Sequence, residues 1–549
     1  MTARVNSFVI VGLVAASLYP SLLASEPQAG FPLLWQIQPG KVAVADVTGD
    51  GLPEVVISRW LDVVIITSGG TFLPGWPFRI TAPITEAGGT MLPPLVGDID
   101  GDGALDVVFE ATHKKVYALG LDGQLKPGWP VQVDAPGLVI QHICLGDLDN
   151  DGDLEILVGD GSQLHGVLFA YDGNGQYHPG FPRVFEEVPA PFAIAGVAVG
   201  DLEFDGTNEI VVGFAGHVGG WIPSPAFVLN GDGTTRAGWP AYPPGLGGAL
   251  ILANPAIADM DEDLTAEIAG NFGEVFLMNH DASAFAAPYQ AFGSGNIPLA
   301  LADVDSDGTL EVVSGGTELT VWKPFVGVIA QTPSTDLYWY YAAVAVADFD
   351  GDGLSEIAAW TAGVSSGPST EFIHLLDLDM NQLPGWPKSF PPWTVIPPRT
   401  IAIADLDGDN DLELIHPHEG ALHVWDVENP GSGVPRVEWS MLGHDASNAR
   451  FYHNGNIPRR RYLRGDANRS GLVDTADAMA ILEYLYFGET TPCPAQNDFD
   501  LDGVVSMVDA ICVLQYLFLM GSPPAQPPFP NCDVAPLGEA LPCTTSACP

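Results

Sequence analysis

The chain has 549 residues, 68 of them acidic and 19 basic, for a formal net charge of −49. Yet 47% of the residues are apolar and only 16% are charged. This excludes a disordered acidic tail, which combines high charge with low hydrophobicity, and it excludes nucleic acid, which demands a basic surface. Electrostatic docking on anionic lipid is disfavoured for the same reason. Either the fold tolerates heavy self-repulsion or cations neutralise part of it, and the placement of the acids decides between these.

Residues 1–24 start with Arg4, continue with an apolar run from Phe8 to Leu18, and end in small residues near Ala24 and Ser25. This is the pattern of a secretory signal peptide, too short for a comfortable span; a retained N-terminal anchor is the competing reading. No later run reaches the roughly 18 apolar residues of a spanning helix. The expectation is a protein that is secreted, extracellular or at the cell surface, with no membrane span in the mature chain. Of the six cysteines, Cys493, Cys512, Cys532, Cys543 and Cys548 crowd the C-terminal end, which in an exported chain predicts local disulfides. Cys144 lies in the apolar run "HICLGD" and is predicted to be a buried small hydrophobe.

Across residues 30–455 one phrase recurs eight times. Its copies begin at Asp46, Asp98, Asp147, Asp201, Asp259, Asp303, Asp348 and Asp405, about 51 residues apart on average. That period is typical of propeller blades. An apolar run rich in Val, Ile and Ala precedes each phrase and a second follows it, as buried strands do. A third run ends in a Gly-containing turn. Then comes Gly-Trp-Pro or Gly-Phe-Pro, at Gly75, Gly128, Gly180, Gly238 and Gly385. Its proline predicts an edge strand, because proline cannot donate to an inner ladder. Four strands per repeat make a β-propeller blade. Gly30-Phe31-Pro32 matches the fourth-strand phrase but has no strands before it. It is therefore expected to complete the last blade, which favours eight blades; "VEWSMLGHDASNARFY" is the other candidate for that strand.

The acidic phrase reads D-x-D-x-D-G-x-x-D/E. Alternating side chains bring oxygens to one side of a tight loop, the glycine permits the turn, and the last acid closes the shell. Such a crowded oxygen set suits Ca²⁺. The candidate ligands are Asp46, Thr48, Asp50 and Glu54; Asp98, Asp100, Asp102 and Asp106; Asp147, Asp149, Asp151 and Glu155; Asp201, Glu203, Asp205 and Glu209; Asp303, Asp305, Asp307 and Glu311; Asp348, Asp350, Asp352 and Glu356; and Asp405, Asp407, Asp409 and Glu413. The first copy has Thr48 in place of an acid, the fourth the longer Glu203, and the last Asn410 in place of glycine, which asparagine can replace in a left-handed conformation. The fifth copy, Asp259, Asp261 and Asp263, has Leu264 where glycine is expected and is expected to be vacant. The plain alternative is a set of Asx-turns with solvated acids.

These phrases resemble the FG-GAP/VCBS repeats of integrin-type β-propellers. The resemblance implies calcium-binding loops on a propeller used for adhesion or ligand binding. Integrin-type propellers have seven blades, so seven or eight are expected here.

At the end of the repeats Arg459, Arg460, Arg461 and Arg464 cluster and read as solvated residues around a linker at 456–463. Beyond it, Asp466, Asn468, Ser470, Gly471, Asp474 and Asp477 stand at positions 1, 3, 5, 6, 9 and 12 of a twelve-residue loop that leads into a helix. Asp498, Asp500, Asp502, Gly503, Ser506 and Asp509 repeat the pattern. Both are EF-hand-like calcium loops with Asp at the last position. Two loop–helix units at this spacing resemble a type I dockerin domain over residues 464–522, followed by a Pro/Cys-rich tail at 523–549. The resemblance implies two Ca²⁺ ions and docking on a cohesin-like or cell-surface protein. The residues that contact cohesin in cellulosomal dockerins, commonly Ser-Thr, are Thr475-Ala476 and Met507-Val508 here, so cellulosomal recognition does not carry over. A calcium-stabilised cap on the propeller is the competing reading. With the propeller loops, up to about ten Ca²⁺ ions are expected, and more than half of the 68 acids fall in these ten loops.

No nucleophile elbow, zinc-protease helix or glycine-rich phosphate loop occurs. His416, His418 and His423 cluster around a strand end and read more simply as surface and strand histidines than as a catalytic or transition-metal site. Trp60, Trp221, Trp322, Trp360 and Trp393 lie outside the Gly-Trp-Pro phrases; packing is their simplest role, sugar stacking the alternative. The fold class expected is mainly β, an FG-GAP/VCBS propeller followed by a small α-helical dockerin-like domain. The functional expectation is an adhesion or ligand-binding module for glycan or protein. Its alternatives are a polysaccharide hydrolase or lyase, or an accessory component, carrying a dockerin, and a structural cell-surface assembly protein.

Overall fold

The computed structural model describes residues 25–28, 31–34, 39–59, 62–80, 92–111, 114–134, 140–160, 166–188, 192–216, 225–241, 253–261, 263, 265–271, 275–289, 299–333, 339–363, 371–390, 400–418, 420–429, 435–441, 445, 447–449, 461–462, 464–468, 473, 475–486, 494–499, 505–519 and 533–534. Eight antiparallel sheets follow one another along the chain, at 39–79, 95–132, 140–184, 192–241, 253–289, 299–331, 339–390 and 402–427. Each is a blade of an eight-bladed β-propeller, numbered here from 1 to 8. The first strand of each blade touches the first strands of its two neighbours, from blade 1 round to blade 8 and back to blade 1. These strands therefore line the axis, and the acidic phrase joins each to the second strand.

The second strands are buried along their whole length, as in Glu54–Arg59, Asp106–Ala111 and Glu155–Asp160. Neighbouring blades cover both faces of each sheet, so these strands read as continuous apolar runs instead of alternating ones. The Gly-Trp-Pro phrases stand just before short outer strands such as Phe78–Arg79 and Lys388–Phe390. Their aromatic rings are buried, and the indole N–H clips one blade to the next. Trp76 Nε1 donates to Leu121 O at 2.9 Å, Trp129 Nε1 to Gly173 O at 2.8 Å and Trp239 Nε1 to His280 O at 3.0 Å. Gly128 allows this close approach, since a Cβ there would lie 1.9 Å from Asn174 O.

The ring closes as the N-terminal phrase foretells. Ser25–Pro27 and Leu33–Leu34 both pair antiparallel with Ala421–Val427, the third strand of blade 8. The other candidate goes elsewhere. Arg436–Trp439 pairs with Val346–Asp348, on the axial edge of the first strand of blade 7. Ile403 N then donates to Ser440 O, Leu145 N to Ser447 O and Val199 N to Ala449 O, each at 2.9 Å. Asn448 Nδ2 donates to Ile143 O at 2.7 Å. Residues 436–440 thus lie against the first strands of blades 7 and 8, and residues 447–449 against those of blades 3 and 4, with Trp439 only 2% exposed.

Beyond the ring lie three helices, α1 (Thr475–Tyr486), α2 (Pro494–Asn497) and α3 (Met507–Leu519). α1 and α3 pack around Ala478, Ile481, Phe499, Ala510 and Val513. Arg461–Tyr462 pairs with Asp533–Val534. Arg464 corrects the solvated-linker reading: it is fully buried, and its Nη1 donates to Asp498 O at 2.8 Å. A desolvated guanidinium needs such an acceptor, and the sequence around it gives no sign of one. Residues 1–24, the rest of the basic cluster apart from Arg461, and most of the Cys-rich tail lie outside the described residues. Cys144 is buried in Ile140–Gly146, as expected. No described helix is long and apolar enough to cross a membrane.

Candidate metal centres

Seven of the eight loops share one construction. The closing acid is buried at the start of the second strand, and one of its oxygens accepts the backbone N–H just after the leading aspartate. Glu54 Oε2 takes Val47 N at 3.0 Å, Glu155 takes Leu148 at 2.8 Å, and Glu209 takes Leu202 at 2.9 Å. Glu267 takes Met260 at 2.9 Å, Glu311 takes Val304 at 2.9 Å, Glu356 takes Phe349 at 2.8 Å, and Glu413 takes Leu406 at 2.5 Å. The leading aspartate reaches forward to the sixth position. Asp98 Oδ2 accepts Gly103 N at 2.8 Å and Asp348 Oδ2 accepts Gly353 N at 3.1 Å. Those glycines have φ of +82° and +95°, and Asn410, in the same place in blade 8, has φ of +71°. The loop needs this left-handed residue, which glycine supplies at no steric cost.

The fifth-position acid forms an Asx-turn. Asp102 Oδ1 accepts Ala104 N, Asp352 accepts Leu354 N and Asp409 accepts Asp411 N, at 2.8–2.9 Å. Asp50, Asp151, Asp205 and Asp307 do likewise. Both readings of the phrase therefore meet in one loop: the fifth acid shapes the turn, while the first, third and ninth converge. Oxygens of Asp98, Asp100 and Asp106 lie within 4.8 Å of one another, as do those of Asp147, Asp149 and Glu155, of Asp303, Asp305 and Glu311, and of Asp348, Asp350 and Glu356. In blade 1 the substitute Thr48 turns its hydroxyl to Glu54 Oε1 at 3.5 Å. In blade 8 Asp405 Oδ1 accepts Gly408 N at 2.7 Å, and Gln28 from the N-terminal segment donates to Asp407 at 3.0 Å.

Blade 5, expected to be vacant, keeps the acids of the phrase. Asp259, Asp261 and Asp263 also bring oxygens within 4.8 Å, and Glu267 closes the loop as in the other blades. The missing glycine hid this; the acid at the ninth position was the signal that could have found it.

Crowded carboxylates in a buried place resist ionisation. Burial, with the neighbouring acids adding to it, pushes Glu155, Glu209 and Glu311 up to about 7, Glu356 to about 8, and Glu267 and Glu413 to about 9. Asp106 rises to about 6. Asp147 Oδ1 and Glu413 Oε1 are buried without any hydrogen-bond partner. A buried carboxylate oxygen left in this state is costly, and these donor sets, oxygen only and acidic, fit a hard cation such as Ca²⁺. Several acidic clusters of the propeller can thus hold metal ions.

Three loops contain a basic side chain as well. Lys126 Nζ lies 2.6 Å from Asp100 and 3.0 Å from Asp106. Lys323 Nζ lies 2.9 Å from Asp305 and 2.7 Å from both Asp307 and Glu311. Arg236 donates to Glu203 at 2.6 Å and meets Glu209 at 2.5 Å. The length of Glu203 is what lets it reach the guanidinium.

In the helix pair, Ser470, Asp474, Asp500 and Asp502 lie outside the described residues. Asp466, Asp477, Asp498 and Asp509, the first and last positions of both loops, are at most 1% exposed. Asp477 Oδ1 accepts Asn468 N at 3.0 Å, and the equivalent Asp509 Oδ1 accepts Phe499 N at 2.8 Å. Asp509 Oδ2 also accepts Ser506 N at 2.8 Å. The two units cross-brace each other: Arg464 donates to Asp498 O and Gln496 to Asp466 O.

The histidine cluster is a packing feature, and it is more buried than its sequence suggests. His416, His418 and His423 surround Phe390 at ring distances of 5.5, 4.6 and 5.2 Å. His416 Nδ1 donates to Thr400 O at 3.0 Å, and burial pushes the ring down to about 3. Trp322 and Trp360 are buried in blade cores; Trp60, Trp221 and Trp393 lie outside the described residues.

The FG-GAP-like repeat model matches residues 46–109 and 147–212. The chain carries FG-GAP-like repeats. Both matched stretches begin at a leading aspartate and run through a second strand. Among solved structures the chain is similar to the V. cholerae biofilm matrix protein Bap1, at 14% identity over 76% of this chain and 93% of that one, with a TM-score of 0.38. It is also similar to the Dos1 propeller, at 12% identity over 75% and 97%, TM-score 0.47. The rhamnogalacturonan lyase YesW matches at 18% identity over 80% and 83%, TM-score 0.36. No curated protein matches the chain.

Proposed function

We propose that this chain is an exported, calcium-loaded β-propeller that binds a glycan or protein ligand, attached to a partner by a dockerin-like helix pair. The observation that carries the calcium reading is the closing acid. One of its oxygens is tied to the backbone while the other turns into a cluster of acids, and in blade 8 that second oxygen, Glu413 Oε1, is buried with no hydrogen-bond partner. Bound Ca²⁺ supplies the missing partner and relieves the repulsion among the carboxylates. Its role is structural, holding the loops that bind it between the first two strands of a blade.

The binding reading is preferred over catalysis because residues 436–440 and 447–449 bond to first strands of four blades at the axis. The protein's own backbone thus occupies axial edges that a polysaccharide would have to reach, and the acidic clusters described above belong to the loops. Attachment through the helix pair is supported by its outer surface. Met507, Ile511, Leu514 and Phe518 recur along α3 and are 40–67% exposed, an apolar stripe that a soluble monomer seldom leaves open. A cohesin-like protein is the partner class that the paired loop–helix units suit.

Calcium titration of chelated full-length protein tests the first claim by calorimetry. Binding of several ions with a rise in melting temperature is expected; no binding overturns it. A glycan array, together with reducing-sugar and unsaturated-product assays over a polysaccharide panel, separates ligand binding from catalysis.

A further inference from the structure

Eight loops have the ligand pattern, but they do not have the same electrostatics. In blades 2, 4 and 6 a side-chain cation reaches the closing acid, and in blades 4 and 6 it meets the oxygen that the backbone leaves free. Lys126 meets Asp106 Oδ1 at 3.0 Å, Arg236 meets Glu209 Oε1 at 2.5 Å and Lys323 meets Glu311 Oε1 at 2.7 Å. The same nitrogens contact the third-position acids, Asp100, Glu203 and Asp305. This is the space between the carboxylates into which a metal ion would have to fit. We propose that these three loops are closed by their own tethered cation and take no Ca²⁺, so that metal is confined to the other blades. The proposal rests on the calcium reading of those other loops.

Three arguments carry it. The first is exclusion. Ca²⁺ needs its oxygens at 2.3–2.6 Å, and an ammonium 2.7–3.0 Å from the same oxygens both fills that space and repels a dication. The lysines are also sequestered, with side chains only 12% exposed. The second is delivery. Lys126 and Arg236 hold the same place in their repeats, just before Pro-Gly-Trp-Pro and Ala-Gly-Trp-Pro. Lys323 arrives from the third strand of its blade, Thr320–Lys323. Two different chain positions thus bring the same charge to the same point. The third is contrast. The residues matching Lys126 in blades 1 and 7 are Leu73 and Leu383, which bring no charge. His178 holds that place in blade 3 but stays 3.7 Å from Glu155, beyond hydrogen-bond reach.

The test compares full-length wild type with the K126M/R236M/K323M variant. Calcium per chain is measured by elemental analysis after desalting, and melting is followed in EDTA and in Ca²⁺. The variant is expected to melt lower than wild type in EDTA, to recover in Ca²⁺, and to hold three more ions per chain. Unchanged calcium content, or an unchanged midpoint in EDTA, overturns the proposal. Hydrogen exchange on wild type decides the matter if the variant does not fold. On chelation, loops 98–106, 201–209 and 303–311 should keep their protection while 46–54, 348–356 and 405–413 lose it; equal loss in both sets overturns the proposal. A wild type that binds no calcium in any loop instead overturns the calcium reading, and the EDTA midpoint of K323M still decides whether the lysine holds its loop.

Discussion

The propeller loops and the C-terminal loops share a ligand spacing but rest on different foundations. A propeller loop joins two strands clamped between neighbouring blades, and one buried cluster alone links residues of blades 5, 6 and 7 with Trp439 of the crossing segment. The helix pair has a buried core of five residues, two of them alanine, around four buried aspartates. Small units with so little apolar area need a staple. On the proposed calcium reading, the same chemistry reinforces a fold that exists without it in one region and creates the fold in the other.

The comparison can be broken most directly by chelation. In full-length protein, EDTA is expected to abolish the protection of α1 and α3 against hydrogen exchange while the second strands of the blades stay protected. Helices that survive chelation would place both regions on the same footing. Next in size is Trp439→Ala, which empties a buried site on the axis and should cost about 3–5 kcal/mol. Thermal melting should show this loss in EDTA as well as in Ca²⁺, because no metal is involved. Asp509→Ala removes the acceptor of two backbone N–H groups, and about 2–4 kcal/mol follows from losing charge-assisted bonds in a buried place. That is enough to unfold the helix pair even in saturating Ca²⁺, with loss of helical circular dichroism. Glu356→Ala removes one such acceptor and should cost the propeller about 1–3 kcal/mol, lowering its midpoint without loss of the β signal. If the two aspartate and glutamate variants behave alike, the distinction between the regions fails.

The smallest effect concerns acid. The folded protein holds His416 neutral down to about pH 3, whereas an unfolded histidine charges near pH 6.5. The unfolded chain therefore binds the extra proton between these values, and stability falls as pH drops through that window. His416→Phe should shrink the difference in melting temperature between pH 7 and pH 5. An unchanged difference would show that the acid sensitivity of the ring arises elsewhere.

The repeat of antiparallel sheets, the left-handed residue in most loops and the N-terminal closure were legible in the sequence. The first two are imposed by local geometry that recurs along the chain, so register exposes them, and the closure shows as a fourth-strand phrase with no strands before it. The crossing segment was not legible. "VEWS" reads as a strand, but no property of a strand names its neighbour, and the edge it completes belongs to a blade about 90 residues earlier. The tethered cations were missed for a related reason. Lys126 and Arg236 follow their acidic phrases by about 20 residues or more, and only the return of the third strand brings them back. Arg464 looked like one member of a basic run, and the chain shows nothing of the carbonyl it caps.

The path by which the chain leaves the ring has a mechanical consequence. Residues 435–449 are bonded to first strands of four blades, on opposite sides of the axis. A pull on the C-terminal end therefore loads the middle of the ring and is divided among those four strands. Attachment at the rim would concentrate the same force on one outer strand such as Phe78–Arg79, held by two residue pairs, and would peel its blade open. The molecule is drawn by its axle.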